Sequence, residues 1–444
     1  MKEIQEKTRV GIIIGSTWAY RNWVLSGLLQ KLVNRYDLVV ILPSASGLSW
    51  FQECKALGVS EFYFVANTKH TFLGIRLLLI LKKIWTLKGN HTLASIKERK
   101  SIKKRKGLNF YLVFYLFELL FERLYFKFNL DFEKLEEIFG KVKLDFLLST
   151  SFVTRIDREM ILYFSNRKVP VCSHILSFDN ISSRGYLPWR KLDNILIWNQ
   201  KMRNELILNY RIKESRLHIT GTPQFDFYLN ENRLSIDDRS KVKFILYCAN
   251  HIDHTPKEPL LVEAIYQAFQ QSQFLSEYKW VIRVHPLDDY SRWSFLSDGR
   301  QIDINYPWGK ISDTSYVGTI RQGDLNTQCY LFSNSSLTMG VASTVLLDSA
   351  INGVPYLNIA VFEPQLGIDY RPLYLSTHYL ELLSEFSEIE ISYSVSDILN
   401  KSEELLRSYH SSQQIHRKIK SYFSNSLGKS VELIEESLEK LIAK

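Results

Sequence analysis

The residues best suited to chemistry in this chain cluster in a few short polar stretches. Residues 177–185 (SFDNISSRG) place a carboxylate, an amide, hydroxyls and a guanidinium within nine positions, just after the apolar run 170–174. Such a set can hydrogen-bond a polyhydroxylated molecule, and the Asp179 carboxylate could take a proton from an acceptor hydroxyl. We therefore predict Asp179 as a catalytic base, with Ser177, Asn180 and Arg184 binding the acceptor; a simple Asx-turn is the alternative.

A second polar group follows the first apolar run, 9–15 (RVGIIIG). If that run is a buried parallel strand, Ser16, Thr17, Arg21 and Asn22 lie at its carboxyl end, where open sheets bind ligands. We predict these four residues as further acceptor contacts. His174 and Glu205 are the next candidates for the base.

A third group has the chemistry of a phosphate site. Arg283 and His285, in the sequence RVHP, would close a strand, and Arg offers a planar fork of donors while His can act as acid or base near neutral pH. A surface Arg and a His that caps its own loop are the alternative. We predict that both residues bind a nucleotide diphosphate and that His285 is also catalytic.

Residues 340–348 (GVASTVLLD) form the fourth group. Ser343 and Thr344 would start a helix, whose terminal N–H groups favour anions, and Asp348 one turn on could accept hydrogen bonds from ribose hydroxyls. With Gly340 these residues complete the predicted donor site. An ordinary N-cap is the alternative.

The spacing of apolar runs predicts two doubly wound parallel sheets in an α/β chain, facing each other across a cleft. Expected strands are 9–15, 37–43, 61–65, 144–148, 170–174, 194–198 and 216–220, then 243–248, 280–284, 328–333 and 355–359. The predicted domains are 1–228 and 242–395, followed by helices at 396–444 that could pack back on the first domain. Gly221, Thr222 and Asp226 mark the domain junction.

The charge is concentrated in one insert. The chain has a net charge of +9, and residues 97–106 (KERKSIKKRK) lie between the aromatic segments 72–85 and 110–128. Neither segment is long and uncharged enough to span a bilayer, so the insert at 70–130 predicts either helices on an anionic membrane surface or ordinary core helices. Nucleic-acid binding would need a motif that the sequence lacks.

Four widely spaced cysteines predict buried thiols, and an opening without a signal-peptide pattern predicts a cytoplasmic protein, with a peripheral position on the inner membrane as an open alternative. The sequence has no GxGxxG, no P-loop and no DxD pair. We therefore expect neither a cofactor nor a metal ion.

Taken in order, SFDNISSRG, DNILIWNQKMRNE, ITGTPQFD, FILYCAN, RVHP and ASTVLLDSAINGVP resemble bacterial surface-polysaccharide glycosyltransferases of the GT-B type, over roughly residues 145–365. Parts are similar to CDP-glycerol glycerophosphotransferases, Kdo transferases and the UDP-GlcNAc 2-epimerase fold. Phe178 stands where the capsule and lipopolysaccharide enzymes have Trp. Residues 342–344 replace the Asp-Tyr-Ser-Ser motif of the teichoic-acid enzymes.

The resemblance implies a nucleotide-sugar donor bound by the C-terminal domain, through Arg283, His285, Ser343, Thr344 and Asp348. It implies a glycan or lipid-linked acceptor beside Asp179 on the N-terminal domain, and sugar transfer without a metal. A polyol-phosphate transferase, a UDP-sugar 2-epimerase and a non-catalytic sugar-nucleotide or glycan binding protein remain as alternatives.

Overall fold

The structure is a computed structural model. It describes residues 7–44, 47–66, 76–77, 120, 123–124, 131–183, 189–229, 243–297, 299–307, 320–341, 343–374, 382–383, 385–386, 388–408, 410–424 and 426–443. Arg184 and nearly all of the 70–130 insert lie outside these ranges, so the predictions made on them stay predictions. Within the ranges, no helix is long and apolar enough to cross a membrane.

Fifteen strands are described. They are β1 Arg9–Ile13, β2 Asp37–Pro43, β3 Glu61–Val65, β4 Phe146–Ser149, β5 Val171–His174, β6 Asn194–Ile197, β7 Leu217–Ile219, β8 Phe244–Cys248, β9 Lys279–Arg283, β10 Ile302–Asn305, β11 Leu337–Val341, β12 Tyr356–Ile359, β13 Phe362–Glu363, β14 Ile368–Asp369 and β15 Glu390–Ser392.

The α-helices come between and after the strands. They are α1 Thr17–Tyr20, α2 Leu28–Arg35, α3 Gly47–Ala56, α4 Phe132–Phe139, α5 Arg155–Asn166, α6 Asn180–Ser183, α7 Gln200–Tyr210, α8 Glu258–Gln270, α9 Gln322–Asn334, α10 Val345–Ile351, α11 Arg371–Tyr374, α12 Val395–Arg407, α13 His410–Tyr422 and α14 Ser430–Ile442. A π-helical turn at Arg21–Leu25 extends α1.

Unit 1 comprises residues 1–226 and 423–444 and is built on a seven-stranded sheet. The strand order is β3-β2-β1-β4-β5-β6-β7, and all pairings are parallel. β1, β2, β4 and β5 are apolar runs buried along nearly their whole length, as expected of strands covered on both faces. The order reverses between β1 and β4, and ligands bind outside the carboxyl ends of strands at such a switch point.

Unit 2 comprises residues 227–422 and contains a six-stranded parallel sheet, ordered β10-β9-β8-β11-β12-β15. Here the order reverses between β8 and β11. One face of this sheet packs on α8 and α12, through core residues that include Trp280, Ile282, Met339, Leu357, Leu261, Ile265, Ile398 and Leu405. The two parallel α/β domains predicted from the sequence are therefore present.

The strand predicted at 328–333 is wrong, because this segment lies in helix α9. Leu325, Cys329 and Phe332 are buried at spacings of four and three, which is helical periodicity, while Tyr330 between them is 58% exposed. A short apolar run fits a strand or a buried helix equally well by composition. The strand that pairs with β8 and β12 is β11.

Asp226 fastens α14 to the rest of unit 1. Its buried carboxylate accepts hydrogen bonds from the Gly428 N–H (2.9 Å), the Ser430 hydroxyl (3.0 Å) and the Val431 N–H (3.2 Å), at the start of α14. Gly221 packs on the same segment in a left-handed conformation (φ +72°), where a Cβ would come within 2.6 Å of the Ser426 and Ser430 hydroxyls. Two of the three predicted junction residues therefore hold the C-terminal helix.

Candidate functional site

Adjacent strands β8 and β9 bring two histidines together at the carboxyl edge of the unit 2 sheet. His285 follows β9 and His251 follows β8, and their imidazole centroids lie 5.1 Å apart in an edge-to-face arrangement. The ring centroid of His254 lies 6.0 Å from that of His251. The sequence analysis identified only His285 of this three-histidine cluster.

The backbone sets the tautomers of the two close rings. Nδ1 of His285 accepts the Leu287 N–H (3.2 Å), and Nδ1 of His251 accepts the Asp253 N–H (3.1 Å). In the neutral rings the proton therefore lies on Nε2, and each ring has an Nε2–H donor. Burial, followed by the charges of His251 and His254, lowers the pKa of His285 to about 4. An anion at this position would favour protonation of the rings.

The His251 loop also reaches the switch point of the sheet. Asn250, just after β8, donates from its side chain to the Val341 carbonyl at the end of β11 (3.0 Å). The loop thus bridges the two strands between which the order reverses. The sequence does carry a signal for Asn250, His251 and His254. These residues come in the loop directly after β8, just as His285 comes in the loop directly after β9.

Arg283 and Asp348 belong to one hydrogen-bonded chain. Arg283 donates to Asn305 Oδ1 (2.6 Å) and to Gln328 Oε1 (3.2 Å), and Gln328 donates to the Tyr228 hydroxyl (2.8 Å). That buried hydroxyl donates in turn to Asp348 Oδ1 (2.6 Å). The structure therefore links two of the predicted donor residues through Tyr228 and Gln328, neither of which the sequence analysis singled out.

The remaining donor candidates lie on β11 and the turn that follows it. A Cβ on Gly340 would stand 2.6 Å from the Cys248 carbonyl oxygen, so the glycine allows β11 and β8 to approach closely. Ser343 Oγ accepts the Val345 N–H (3.4 Å), and Thr344 precedes α10 without a side-chain capping bond. Both hydroxyl residues are half-buried, at the carboxyl end of the strand beside β8.

In unit 1, the residues after β1 meet the residues after β7. Arg21 donates to Asn22 Oδ1 (3.0 Å) and to Gln224 Oε1 (2.6 Å), while the buried Asn22 amide donates to Thr222 Oγ1 (3.4 Å). Acceptor candidates and a junction residue are thus joined in one network. Arg21 and Asn22 stand in the π-helical turn, a feature that is frequent at functional sites.

His174 is also buried in this region, at the end of β5. Its Nε2 donates to the Gly221 carbonyl (3.1 Å) and its ring stands edge-on to Trp23. Burial lowers its pKa to about 4. Because this low pKa makes the ring a weak base, His174 is a poor candidate for the catalytic base. The other reserve candidate, Glu205, is half-buried on α7.

Asp179 and its neighbours form a compact turn after β5. The Ser177 hydroxyl donates to Asp179 Oδ1 (2.6 Å), and Asn180 Oδ1 accepts the Ser177 N–H (3.0 Å). Asn180 is buried, whereas Asp179 is half-buried. These bonds join Ser177 to Asp179 and Asn180 within the turn, which leaves the Asp179 carboxylate at the carboxyl edge of the sheet.

At the switch point of the unit 1 sheet, between β1 and β4, a glycine and a buried aspartate lie close together. Ser16 Oγ caps α1 by accepting the Ala19 N–H (3.2 Å), and Thr17 is buried as its first residue. The Asp157 carboxylate accepts the hydroxyls of Ser149 (3.0 Å) and Ser151 (2.6 Å) after β4. A Cβ on Gly15 would lie 2.7 Å from Asp157 Oδ2, so this contact requires glycine.

In the described part of the chain, no group of three or more His, Cys, Asp or Glu side chains is placed to hold a metal ion. All four cysteines lie in described ranges and are buried thiols.

Comparison with known proteins identifies the fold class. No protein-family model matches the sequence, and no curated protein matches it. Solved structures do match. One is the UDP-GlcNAc 2-epimerase of Neisseria meningitidis bound to UDP-GlcNAc, with 14% identity, TM-score 0.56, and coverage of 98% of this chain and 100% of that chain.

Two further matches show the range of enzymes. The UDP-GlcNAc 2-epimerase of Methanocaldococcus jannaschii in complex with UDP-GlcNAc and UDP has 16% identity and TM-score 0.53, covering 98% of this chain and 100% of that chain. A glycosyltransferase of Rickettsia africae has 9% identity and TM-score 0.51, covering 99% of both chains. This chain has the GT-B-type fold with two parallel α/β domains that such enzymes share. At these identities the likeness establishes the fold alone.

Proposed function

We propose that the protein is a glycosyltransferase that moves a sugar from a nucleotide-activated donor to a glycan or lipid-linked acceptor in bacterial surface-polysaccharide synthesis, without a metal ion. The observation that carries the proposal is the pair of imidazoles at the carboxyl edge of the unit 2 sheet. His251 and His285 are 5.1 Å apart at the carboxyl ends of adjacent strands, and each has an Nε2–H donor.

Two such donors suit a diphosphate. Transfer of the sugar leaves negative charge on the departing nucleotide, and preorganised donors that meet this charge lower the barrier. Arg283 stands two residues before His285, although its guanidinium also bonds Asn305 and Gln328. Ser343, Thr344 and Asp348 would contribute further contacts to phosphate and ribose. In unit 1, Asp179 would accept the proton of the acceptor hydroxyl, beside Arg21 and Asn22.

A UDP-sugar 2-epimerase is the second candidate. The matched epimerase structures have TM-scores of 0.53–0.57, slightly above the 0.51 of the matched glycosyltransferases. An epimerase would use the same unit 2 site for its nucleotide. It differs in needing no acceptor.

The test begins with thermal-shift measurements against UDP-, GDP-, CMP- and CDP-linked donors, followed by product analysis with and without glycan acceptors. We expect stabilisation by one nucleotide sugar and sugar transfer only when an acceptor is present. Interconversion of the sugar nucleotide without an acceptor would establish the epimerase. Stabilisation by CDP-glycerol alone would establish the polyol-phosphate transferase, and binding without turnover a binding protein.

Substitutions locate the site. Arg283→Ala, His285→Ala and His251→Ala should each weaken binding of the nucleotide diphosphate about tenfold, since a lost hydrogen bond to a charged group costs about 1.5 kcal/mol or more. Lys279→Ala is the matched control, because Lys279 is an exposed cation at the amino end of the same strand. Equal affinity in all four variants would remove the cluster from the site.

A further inference from the structure

A fully buried carboxylate lies beneath the loop that carries His251. Glu258 begins α8 and has no exposed surface. Its Oε1 accepts the Tyr247 hydroxyl (2.8 Å), its Oε2 accepts the Thr255 hydroxyl (2.6 Å), and the Asn250 N–H lies 3.0 Å from Oε2. Because all three donors lie between residues 247 and 255, this one carboxylate ties the end of β8 to the start of α8.

Asn250 connects Glu258 to His251 through hydrogen bonds. Its backbone N–H is held by Glu258, and its side-chain Oδ1 accepts the N–H of His251 (2.7 Å). The side-chain amide of the same residue donates to the Val341 carbonyl on β11. The hydroxyl of Thr255 also lies 3.2 Å from the His251 carbonyl oxygen. The His251 N–H is therefore bonded to Asn250, and the His251 carbonyl accepts the backbone N–H of Thr255 (3.1 Å); Glu258 bonds both Asn250 and Thr255.

The far end of the loop is held from the His285 side. Arg292 donates to the carbonyls of Thr255 and Pro256 (3.0 Å each), and its Nε lies 3.3 Å from the buried Asp288. Asp288 follows His285 by three residues and is bonded to the Trp293 indole (2.9 Å). Hydrogen bonds from Arg292 therefore connect the loop of His251 with the loop of His285.

Burying the Glu258 carboxylate costs desolvation free energy. Burial raises the pKa of Glu258 to about 7, even though the hydrogen bonds from Thr255, Tyr247 and Asn250 favour the charged form. An apolar side chain of similar size would avoid that desolvation. It would, however, leave the Asn250 N–H and two hydroxyls buried without their acceptor, so the loop would lose what fixes its conformation.

We propose that Glu258 is a positioning residue that acts through Asn250 and His251, holding the His251 imidazole against His285 to receive the diphosphate of the nucleotide. The role rests on the proposed function, because the diphosphate is the ligand assigned there to the histidine pair. Glu258 itself does not touch the ligand. Its effect on binding must therefore be transmitted by His251.

The experiment is a double-mutant cycle, with UDP as the probe and calorimetric affinity as the readout. Glu258→Met should weaken UDP binding about tenfold, as His251→Ala does in the parent protein. In the Glu258→Met background, His251→Ala should add little, because residues acting through one another are not additive. Glu258→Gln should restore affinity to within about threefold, since its amide keeps an acceptor for Asn250 and the two hydroxyls can reorient.

Glu263→Gln is the matched control, since Glu263 lies on the same helix, pairs with Arg300 (2.8 Å) and is remote from the loop. A folded Glu258→Met protein with parental affinity would overturn the proposal. So would a cycle in which His251→Ala costs the same in both backgrounds. If Glu258→Met does not fold, Thr255→Val takes its place in the same cycle.

A ligand-free measurement separates this proposal from the proposed function. Ring ¹⁵N shifts of His251 should show an accepting Nδ1 in the parent and in Glu258→Gln, and a mixture of tautomers in Glu258→Met. If none of the nucleotides of the donor screen binds the parent, the proposed function fails while these shifts still decide the positioning role. Identical His251 ring shifts in all three proteins would overturn the positioning role of Glu258.

Discussion

The hydrogen bonds of His174 and His285 separate a structural role for His174 from the proposed ligand-binding role of His285. The sequence could not distinguish these two roles. His174 and His285 both have a pKa lowered to about 4 by burial. His174 already donates to the Gly221 carbonyl, whereas the Nε2–H of His285 is set by the Leu287 N–H on the opposite nitrogen. A second proton on His174 would place a charge on a fully buried ring, which is what lowers its pKa. Asp179 is therefore the better base in unit 1.

Asp179→Asn tests that assignment. The substitution keeps the shape of the turn and one acceptor for the Ser177 hydroxyl, but an amide cannot take a proton. We expect turnover to fall at least about 100-fold, the usual scale for loss of general-base help, with donor affinity unchanged. Steady-state kinetics with the accepted donor and acceptor provide the measurement.

Ser177→Ala is the matched variant, because it removes the hydroxyl that bonds Asp179 Oδ1 and keeps the carboxylate. Its effect on turnover should be small beside that of Asp179→Asn. If Asp179→Asn retains parental turnover, the proton goes elsewhere, and a mechanism without an enzymic base becomes the better account.

Among the secondary-structure elements, long apolar strands were predictable and short polar ones were not. β1, β2 and β8 are apolar runs, buried on both faces, and the sequence identifies them. β10 (IDIN) alternates apolar and polar residues over only four positions, so it resembles a loop. Composition could not separate the helical segment 328–333 from a strand, because only the buried positions across a longer window reveal the helical period.

The docking of α14 depends on a group that titrates. Burial raises the pKa of Asp226 from 3.8 to about 6, against the opposing hydrogen bonds from the start of α14. A raised folded-state pKa means that the folded protein binds the proton more tightly. The resulting stabilisation is complete below about pH 3.8 and is lost as the pH rises through 6, an effect of about 3 kcal/mol.

Asp226→Asn should remove that slope. His174 and His285 have the opposite dependence, because a lowered pKa makes stability rise between about pH 4 and 6.5, and the raised pKa of Glu258 adds a dependence of the same sign as that of Asp226. The parent curve alone therefore mixes these groups. The informative quantity is the difference in unfolding midpoint between parent and variant, measured from pH 4 to 7. We expect this difference to change with pH in favour of the variant as the pH rises.

Glu137→Gln, on the exposed face of α4, is the matched control for the loss of one carboxylate. A constant difference between the parent and Asp226→Asn would contradict the titration of Asp226 in this range.

For the whole molecule, the fold was predictable to a degree that the site was not. Parallel sheets require only apolar strands separated by helices, which is why structures at 9–16% identity share this fold over nearly the whole chain. The site depends instead on loop residues with no periodicity. Asn250 and His251 are ordinary polar residues until the structure places their loop over the Glu258 carboxylate and beside His285.

The basic insert gives a prediction about where the whole protein acts. Residues 97–106 lie outside the described ranges, and the +9 net charge is concentrated there. If the acceptor is lipid-linked, attraction to an anionic surface would bring the enzyme to its substrate. Each basic residue near such a surface contributes about 1 kcal/mol, and the attraction falls off within about 8–10 Å at physiological salt.

Replacing Lys100, Lys103, Lys104 and Arg105 together with Gln should therefore release the protein from anionic liposomes and abolish the salt dependence of its binding. Activity on a soluble acceptor analogue should persist, because the donor residues lie in unit 2. The matched control replaces the exposed Lys55, Lys141, Lys143 and Lys213 with Gln, an equal loss of charge elsewhere in unit 1. Co-sedimentation with liposomes at low and high salt decides the matter. Equal binding by the parent and the insert variant would assign the insert to the core of the protein or to a contact between copies.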